Sequence, residues 1–423
     1  MGITETRSKS TTNRHVLFLQ GPISPFFRLI ADRLEQQGHR VLRINLAFGD
    51  WLFWRRAGAV SYHGRLSDWP SYIDTFMRTN QVTDLVLLGE QREYHKIAIN
   101  TARALGVDVT VTDFGYLRPD WITFERNGMT GDSLFPKSPD QIREIARSVP
   151  PPDLSRKYED HFWRQVFWDM AYHLSSSLMR PLYPFFRWHH VHHPVFVYIG
   201  TGLHILRNKL HRKSTRRTVT DLVESGQPYY VFPLQMQNDF SIRAYSPFND
   251  LRTAIDQVIT SFTRHAGPDA CLVIKLHPLD PGLHNWKRYV QMAAARSGQA
   301  SRIIFLDGGP LEALLAHTRG VVTINSTVGI WTLLAGKPLI ALGQAMYDVE
   351  GLVHRGNLDS FWKNSSAPDP ALRDAFIRAI TGTIQIRGVY YNQPGLNAAV
   401  EEATRRLAGG YINVPLPQLS QLR

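Results

Sequence analysis

The feature that most constrains the fold is the repeated succession of a short apolar run, a turn and an amphipathic segment. Residues 15–20 form an apolar run that ends at Gly21, and residues 25–37 carry apolar side chains at helical spacing. Residues 41–44 then form the next apolar run. Apolar runs that alternate with amphipathic helices are typical of βαβ units. The pattern therefore predicts an α/β fold with parallel strands.

The same alternation occurs in two regions, which are separated by a segment of different character. With about 150 residues per domain as a guide, a chain of 423 residues has room for two large domains. We therefore predict two Rossmann-like domains joined by an aromatic and basic helical insert. The expected boundaries are a disordered arm over 1–13, an N-terminal domain over 14–150, the insert over 151–220, a C-terminal domain over 221–360, and C-terminal helices with a tail over 361–423.

The excess of basic residues predicts an anionic partner. Lysine and arginine number 48 and aspartate and glutamate 36, so the formal net charge is 48 − 36 = +12. An acidic lipid surface, a phosphorylated substrate and a nucleic acid all suit that charge. No recognised nucleic-acid-binding motif occurs, and we expect no nucleic-acid partner.

The insert gathers aromatic and basic side chains over residues 158–212. Three interpretations stay open: a surface that lies at a lipid interface, a packing element between domains, and a nucleic-acid-binding surface. His189, His190, His192 and His193 have neither a carboxylate nor a cysteine partner nearby in the sequence. We therefore interpret them as a basic surface patch and not as metal ligands.

The cysteine content fits a protein of a reducing compartment, and the hydropathy predicts no membrane-spanning segment. Cys271 is the one cysteine, so an intramolecular disulfide and a cysteine-based zinc site are excluded. The first residues are polar, and no run of about 18 apolar residues occurs. We expect neither a signal peptide nor a transmembrane helix.

Candidate functional residues in the N-terminal half follow predicted strands directly. They are Gln20, Gly21 and Pro22 after the first strand, Glu90, Arg92 and His95 after the strand at 84–88, and Asp113 and Arg118 after the strand at 107–111. Ligands of open α/β sheets bind at these strand ends. Arginine can grip an anion, and an aspartate can act as a nucleophile or base. Ordinary turns and helix caps are the competing interpretations.

Two further strand ends in the C-terminal half predict an anion site. Lys275 and His277 point to one face of a strand, and Pro278 ends that strand. Asn325, Ser326 and Thr327 lie between a strand and a helix, where side-chain donors can meet an anion. Plain N-capping is the alternative. The sequence has no Walker A motif, no Gly-x-Gly-x-x-Gly after the first strand and no Asp-x-Asp, so we expect neither cofactor nor metal.

A set of short motifs, taken in order, resembles bacterial capsule polysaccharide synthesis and export proteins of the KpsS/LipB type. The same motifs resemble the rhizobial lipopolysaccharide and K-antigen processing relatives of that family. The motifs are Phe18–Pro22, Arg43–Asn45, Gly49–Asp50, Gly115–Pro119, Pro233–Gln235 with Asp239, Lys275–Asp280 and Asn325–Thr327.

The resemblance implies a fold, a location and an activity. The expected architecture is the GT-B glycosyltransferase type, two Rossmann-like domains facing a cleft, in a cytoplasmic protein peripheral at the inner membrane. Several members of the family are retaining transferases that use CMP-Kdo to build on a phosphatidylglycerol lipid. Lys275, His277, Asn325, Ser326 and Thr327 would then contact the nucleotide or the Kdo carboxylate, with Gln235 and Asp239 at the same site. The implied partners are a nucleotide sugar, a glycolipid or phospholipid acceptor, an acidic membrane surface and other capsule assembly proteins.

One departure from the family pattern affects the proposed chemistry. Retaining members carry an acid directly before the glycine that begins the motif at Gly115–Pro119. This chain has Phe114 at that position and Asp113 one place earlier. Adjacent residues of an extended segment face opposite ways. We expect Asp113 to be the catalytic nucleophile, with Glu90 as the second candidate. The alternative is a non-catalytic polysaccharide processing, export or chain-length factor.

Overall fold

The computed structural model describes residues 13–159, 161–188, 194–237 and 239–416. These residues belong to two compact units. The first unit comprises Met1–Phe135, Ser148–His189 and Arg378–Arg423, and the second comprises Pro136–Arg147 and His190–Ile377. The predicted N-terminal arm and the cluster of four histidines lie outside the described residues, apart from residue 13 of the arm.

The strands and helices are numbered in chain order. The strands are β1 (His15–Phe18), β2 (Arg40–Asn45), β3 (Ala59–Ser61), β4 (Asp84–Leu88), β5 (Asp108–Phe114), β6 (Trp121–Arg126), β7 (Tyr229–Pro233), β8 (Cys271–Lys275), β9 (Ile303–Leu306), β10 (Gly320–Thr323), β11 (Leu339–Ala341) and β12 (Gln385–Arg387). The α-helices are α1 (Phe26–Gln36), α2 (Phe48–Trp54), α3 (Trp69–Thr79), α4 (Glu93–Ala104), α5 (Pro139–Ser148), α6 (Phe162–Leu178), α7 (Pro194–Glu224), α8 (Phe240–Tyr245), α9 (Leu251–His265), α10 (Trp286–Arg296), α11 (Leu311–His317), α12 (Val328–Leu334), α13 (Leu358–Asn364), α14 (Pro370–Thr383) and α15 (Gly395–Gly409). Short 3₁₀ turns lie at Leu66–Asp68, Thr130–Asp132, Arg180–Leu182 and Ala300–Arg302.

The first unit is built on a seven-stranded sheet in the order β12-β6-β5-β4-β1-β2-β3. Strands β1 to β5 are parallel, whereas β6 runs antiparallel to β5 and β12 antiparallel to β6. The parallel part has the doubly wound order of a Rossmann fold. Its strand order reverses between β1 and β4, which is where such sheets bind ligands.

The second unit is built on a five-stranded parallel sheet in the order β11-β10-β7-β8-β9. This order repeats the doubly wound pattern, and its reversal lies between β7 and β10. The prediction of two Rossmann-like α/β domains is thus confirmed.

Burial follows the alternation of side chains along the central strands. In β1, Val16 and Phe18 belong to one hydrophobic cluster and Leu17 to another, and all three are fully buried. A parallel sheet covered on both faces needs such continuous apolar strands. In α1, Phe26, Ile30 and Leu34 share one face and pack in the same cluster as α15.

The two units differ from the predicted boundaries in three places. Pro136–Arg147, predicted within the N-terminal domain, belongs to the second unit. Arg378–Arg423 belongs to the first unit, because β12 pairs with β6 and α15 packs on α1. The predicted insert is divided, since α6 belongs to the first unit and α7 to the second. Among the described residues, no helix combines the length and apolar character needed to cross a bilayer.

Candidate functional site

In the second unit, polar side chains meet where the strand order reverses. Gln235 follows β7 and Asn325 follows β10, and both are buried. The Gln235 Nε2 donates to Asn325 Oδ1 at 3.0 Å, and the Asn325 backbone N–H donates to Gln235 Oε1 at 3.2 Å. This amide pair ties the two central strand ends together. Asn325, predicted from a strand end, and Gln235, implied by the family resemblance, are therefore neighbours in space.

Asp239 holds the adjoining loop in place. Its Oδ1 accepts from the Ser241 backbone N–H at 2.9 Å at the start of α8, and it lies 2.8 Å from Ser241 Oγ. Asn325 Nδ2 donates to the Ser241 carbonyl at 2.8 Å, and Gln235 Nε2 lies 3.4 Å from Asp239 Oδ2. The carboxylate of Asp239 therefore caps α8. Because Asn325 donates to Ser241 in the same first turn, this cap also helps to orient the amide pair.

Ser326 and Thr327 precede α12 in the turn after β10. Ser326 Oγ accepts from the Val328 backbone N–H at 3.2 Å, and its carbonyl accepts from the Tyr347 hydroxyl at 2.7 Å. Thr327 is half-buried and makes no side-chain capping bond to the helix. Ser326 thus shapes the turn, and Thr327 leaves its hydroxyl outside the capping interaction.

Lys275 places a buried ammonium at the end of β8, next to β7. Its Nζ lies 3.5 Å from the Leu276 carbonyl, which is longer than an ordinary N–H···O bond. Burial lowers the pKa of Lys275, and the carboxylate of Asp307 opposes that shift. A buried cation is stabilised by an anionic neighbour or ligand. His277 lies beyond the strand, half-buried, and its Nδ1 accepts from the Leu279 backbone N–H at 3.1 Å.

A cavity of about 570 Å³ opens in the second unit at the ends of β8 and β9. Its lining includes Leu276 beside Lys275, together with Asp280 and Asp307. Burial raises the pKa of Asp280, although the Gly282 backbone N–H at 2.8 Å and the Trp286 Nε1–H at 3.3 Å favour its ionised form. The volume lies within the usual range of about 300–1,000 Å³ for small-molecule sites. Two carboxylates in the lining suit a ligand with hydroxyl or amino donors.

In the first unit, the strand-order reversal places Gln20 next to the turn after β4. The Leu88 backbone N–H donates to the Gln20 carbonyl at 2.9 Å. The Gln20 Nε2 donates to Asp50 Oδ2 at 3.1 Å and to the Tyr172 hydroxyl at 2.9 Å. The same hydroxyl donates to Asp50 Oδ1 at 3.1 Å. Tyr172 comes from α6, so the insert contributes to this site.

Asp50 is the centre of this buried network. Its Oδ2 accepts from the backbone N–H groups of Leu46 at 2.8 Å and Ala47 at 2.9 Å. The buried guanidinium of Arg43 lies 3.7 Å from its Oδ1. Sequence reasoning missed Asp50, Arg43 and Tyr172 as site residues. Asp50 and Arg43 lie in the short motifs near the N-terminus, which was the available signal.

Gly21 and Pro22 border a cavity of about 20 Å³ beside Asp50. That volume is about the space of one water molecule. A Cβ at Gly21 would lie 2.4 Å from the ring of Phe27, so the glycine is required by internal packing. The ring of Phe27 is therefore one physical reason for a glycine at this strand end, and contact of Gly21 with a ligand stays a prediction.

His95 and Arg92 lie after β4, at the start of α4. His95 is fully buried, and its Nδ1 lies 2.9 Å from the carbonyls of Leu88 and Gly89. Burial lowers the pKa of His95 to about 3, reinforced by Arg92, so the imidazole is neutral. Burial also lowers the pKa of Arg92, whereas Tyr172, Asp113 and Asp50 oppose that shift. Hence His95 anchors the turn, and Arg92 lies within electrostatic reach of two carboxylates.

Asp113 and Phe114 face opposite sides of β5. Asp113 pairs with Thr123 of β6, and its Oδ1 accepts from the Phe114 backbone N–H at 2.7 Å. The Phe114 ring lies 5.4 Å from the ring of Tyr390. The guanidinium of Arg118 lies over the Phe114 ring, 5.1 Å from its centre. Arg118, predicted to clamp an anion, is exposed and lies over that ring. An acid at position 113 therefore has different neighbours from a side chain at position 114, which is where the family pattern places the acid.

Glu90 is buried beside a tyrosine and a second carboxylate. Burial raises the pKa of Tyr116 well above its usual range, with Glu125 and Glu90 acting in the same direction. The Tyr116 hydroxyl donates to Glu125 Oε1 at 2.7 Å, and Ser133 Oγ donates to Glu125 Oε2. Glu90 thus belongs to a buried acidic group. Across the ranges that the structure describes, no group of three or more His, Cys, Asp or Glu side chains could hold a metal ion.

Fold and site together define an α/β protein of two Rossmann-like units whose polar groups gather where each strand order reverses. The profile of the family described as "Capsule polysaccharide biosynthesis protein" matches residues 83–391. The chain is 32% identical over 381 residues to the capsule polysaccharide export protein KpsS of Escherichia coli, covering 90% of this chain and 97% of that protein. It belongs to the capsule polysaccharide biosynthesis family, which confirms the predicted resemblance.

Two further proteins show the range of the similarity. The capsule polysaccharide modification protein LipB of Neisseria meningitidis serogroup A is 28% identical over 386 residues, covering 90% of this chain and 92% of LipB. Among solved structures, the β-Kdo 2,7-transferase KpsC of Thermosulfurimonas dismutans is 14% identical, with a TM-score of 0.45. That alignment covers 92% of this chain and 98% of the KpsC chain.

Proposed function

We propose that this protein of capsule polysaccharide biosynthesis is a retaining glycosyltransferase that transfers Kdo from CMP-Kdo to a lipid-linked acceptor. The observation that carries the proposal is the second unit's strand-end site. There the Gln235–Asn325 amide pair occupies the strand-order reversal, and the buried ammonium of Lys275 stands at the next strand end. The family motifs that contain these residues support a nucleotide sugar as the ligand.

The chemistry of the second unit suits a nucleoside monophosphate linked to an acidic sugar. Such a donor carries a phosphate and a carboxylate, and Lys275 can neutralise one of them. The ribose hydroxyls and the cytosine amine are hydrogen-bond donors, which suit the carboxylates of Asp280 and Asp307 in the adjoining cavity. His277, Asn325, Ser326 and Thr327 complete the proposed donor site, with Gln235 and Asp239 fixing its shape.

Asp113 remains our candidate nucleophile, with Glu90 second. The carboxylate would attack the anomeric carbon of Kdo while the bond to the CMP phosphate oxygen breaks, and CMP would leave with its charge neutralised by a cation. The acceptor hydroxyl would then attack the glycosyl-enzyme, lose its proton to a base and release the carboxylate. Two displacements retain the anomeric configuration.

A second candidate function is a non-catalytic factor for polysaccharide processing, export or chain length. The observation that favours it is Phe114, which occupies the place of the family's acid and packs against Tyr390. Under either function we propose a cytoplasmic location at the inner membrane, contact with other capsule assembly proteins, and no cofactor or metal.

Release of CMP from CMP-Kdo, measured with a glycolipid acceptor, separates the two functions. We expect saturable release by the wild type and a loss of about 100-fold in Lys275→Met, because a cation that stabilises the leaving group is removed. The matched control Lys363→Met changes an exposed lysine of the same unit and should keep the wild-type rate. Asp113→Asn should abolish turnover.

Each alternative has its own outcome. CMP binding without release in the wild type would establish the non-catalytic function. A full rate in Asp113→Asn would remove Asp113 as the nucleophile and direct the same test to Glu90.

A further inference from the structure

Half of the large hydrophobic side chains that the described residues expose lie in one short segment. Sixteen such side chains are exposed, and eight of them fall between residues 162 and 185. The eight are Phe162, Trp163, Phe167, Met170, Leu174, Leu178, Leu182 and Phe185. Contiguous apolar patches on soluble proteins mark surfaces that bind a partner or a membrane.

Five of these residues form a stripe along α6, which we call the α6 stripe. Residues 163, 167, 170, 174 and 178 follow the helical spacing of one face. Trp163, Phe167, Leu174 and Leu178 are 78%, 64%, 71% and 75% exposed. Leu182 and Phe185 continue the apolar surface beyond the helix.

The opposite face of α6 already has its partner. Trp168 and Tyr172 lie 5.2 and 6.4 Å from the ring of Phe53 in α2. Ser176 Oγ accepts from the Gly49 backbone N–H at 2.9 Å. A helix that is apolar all round needs cover on both faces. The inward packing therefore accounts for one face and leaves the α6 stripe to a different partner.

The segment that carries the stripe has a small net positive charge. Residues 161–188 hold three arginines and one aspartate, so their formal charge is 3 − 1 = +2. Arg164, Arg180 and Arg187 are exposed, and the guanidinium of Arg65 lies 4.6 Å from the Phe185 ring. The one acid, Asp169, lies 3.7 Å from His173 on the inward side of the helix. An apolar stripe bordered by arginines complements an anionic lipid surface.

The position of the stripe relates it to the first unit's polar network. Tyr172 projects from the opposite side of α6 and donates to Asp50 at 3.1 Å. An α-helix with its side chains is about 10 Å across. A surface bound by the α6 stripe would therefore lie about one helix diameter from the Gln20–Asp50 network.

We propose that the α6 stripe docks unit one onto an anionic lipid bilayer, with α6 lying in the plane of the interface. The inference takes its setting, a lipid-linked acceptor, from the proposed function. Its physical basis, exposure and charge, stands apart from catalysis. Docking would hold the strand-end network of the first unit beside the headgroups where such an acceptor is anchored.

Vesicle flotation tests the docking surface in the absence of nucleotide. The full chain is mixed with vesicles of phosphatidylglycerol and phosphatidylcholine, or of phosphatidylcholine alone. We expect flotation with the anionic vesicles, weakened by salt. The triple variant Phe167→Gln, Leu174→Gln, Leu178→Gln should bind at least about tenfold more weakly, because apolar area no longer enters the interface. Glutamine keeps helix propensity, so α6 should stay folded.

A matched control carries the same chemistry elsewhere. The variant Leu134→Gln, Leu283→Gln, Met292→Gln changes three exposed apolar residues outside the insert and should float like the wild type. Equal flotation of the stripe variant and the wild type would overturn the proposal. So would a wild-type dimer in sedimentation velocity that the stripe variant alone converts to monomer, because a second copy would then cover the stripe.

The two proposals fail separately. A chain that floats through the α6 stripe but never releases CMP contradicts the transferase function and keeps the docking surface. A chain that releases CMP, with a stripe variant that floats normally, contradicts the docking surface and keeps the transferase.

Discussion

Replacing Asp50 by alanine removes the centre of the buried network in the first unit. The carboxylate accepts from two backbone N–H groups and from Gln20 and Tyr172, and it lies 3.7 Å from the buried guanidinium of Arg43. The substitution leaves Arg43 without its acid and removes the acceptor of four donors. The first unit should lose stability through both effects.

The magnitude follows from the burial of both charges. Removing one partner of a buried ion pair costs about 3–5 kcal/mol. Buried donors left without an acceptor cost about 1–3 kcal/mol each, and a water molecule entering the small cavity beside Asp50 would recover part of this. We therefore expect Asp50→Ala to lower the free energy of unfolding by about 4 kcal/mol. The control Asp74→Ala breaks an exposed pair with Arg78, and should cost at most about 0.5 kcal/mol.

Urea unfolding and amide hydrogen exchange measure this effect together. Exchange at Leu46 and Ala47 reports the local loss, because their N–H groups donate to Asp50 in the native protein. A loss below about 1 kcal/mol with both amides still protected would refute the reasoning, since it would show that the network contributes little to holding the strand ends.

Two further predictions concern single buried positions. His95 has a native pKa of about 3 against the ordinary 6.5. As the pH drops below 6.5, the unfolded chain binds a proton at His95 while the native protein does not, so the free energy of unfolding falls. At pH 5 the free energy of unfolding should be lower by about 2 kcal/mol than at pH 7. In His95→Gln, urea unfolding should show a difference between the two pH values that is smaller by this amount. A difference equal to that of the wild type contradicts the buried neutral imidazole. Gly329→Ala should cost about 1–3 kcal/mol in thermal unfolding, because a Cβ there would lie 2.2 Å from the Tyr347 ring. Gly202→Ala, whose Cβ meets nothing within 4 Å, should not destabilise the protein, and equal melting temperatures for both variants would exclude the clash.

The local pattern sufficed for the strands whose residues form continuous apolar runs. The predicted strand at 84–88 coincides with β4, and the apolar runs at 229–233, 303–306 and 320–323 form β7, β9 and β10. Each of these runs is short, and a glycine, a proline or a polar residue stands at its end. Their order in the sheets also follows from the alternation with helices, because crossover connections favour the doubly wound order.

Long-range pairing could not be predicted in the same way. β12 spans Gln385–Arg387 and pairs with β6 more than 250 residues earlier, and nothing in so short a segment indicates its partner. β5 extends to Phe114 because its last residues pair with β6. Residues 361–423 were therefore predicted as C-terminal helices with a tail, whereas Arg378–Arg423 belongs to the first unit.

The candidate site shows the same division. Asn325 was predicted from a strand end and Gln235 from the family resemblance, and the structure joins them by two hydrogen bonds. Tyr172 was missed because it reaches the site from a helix within the aromatic insert, where its spacing from Trp168 and Ser176 was the available signal. The packing constraint on Gly21 could not be predicted, because it comes from the ring of Phe27 and only the packed structure reveals that contact.

The measurement that tests the central claim most directly is CMP release from CMP-Kdo by the wild type, compared with Lys275→Met and Lys363→Met at equal protein concentration. The account predicts acceptor-dependent release by the wild type and Lys363→Met, and a loss of about 100-fold in Lys275→Met. Equal release by all three proteins would contradict the assignment of the donor to the second unit's strand ends. Absence of release from all three, in protein that binds CMP, would contradict the transferase itself.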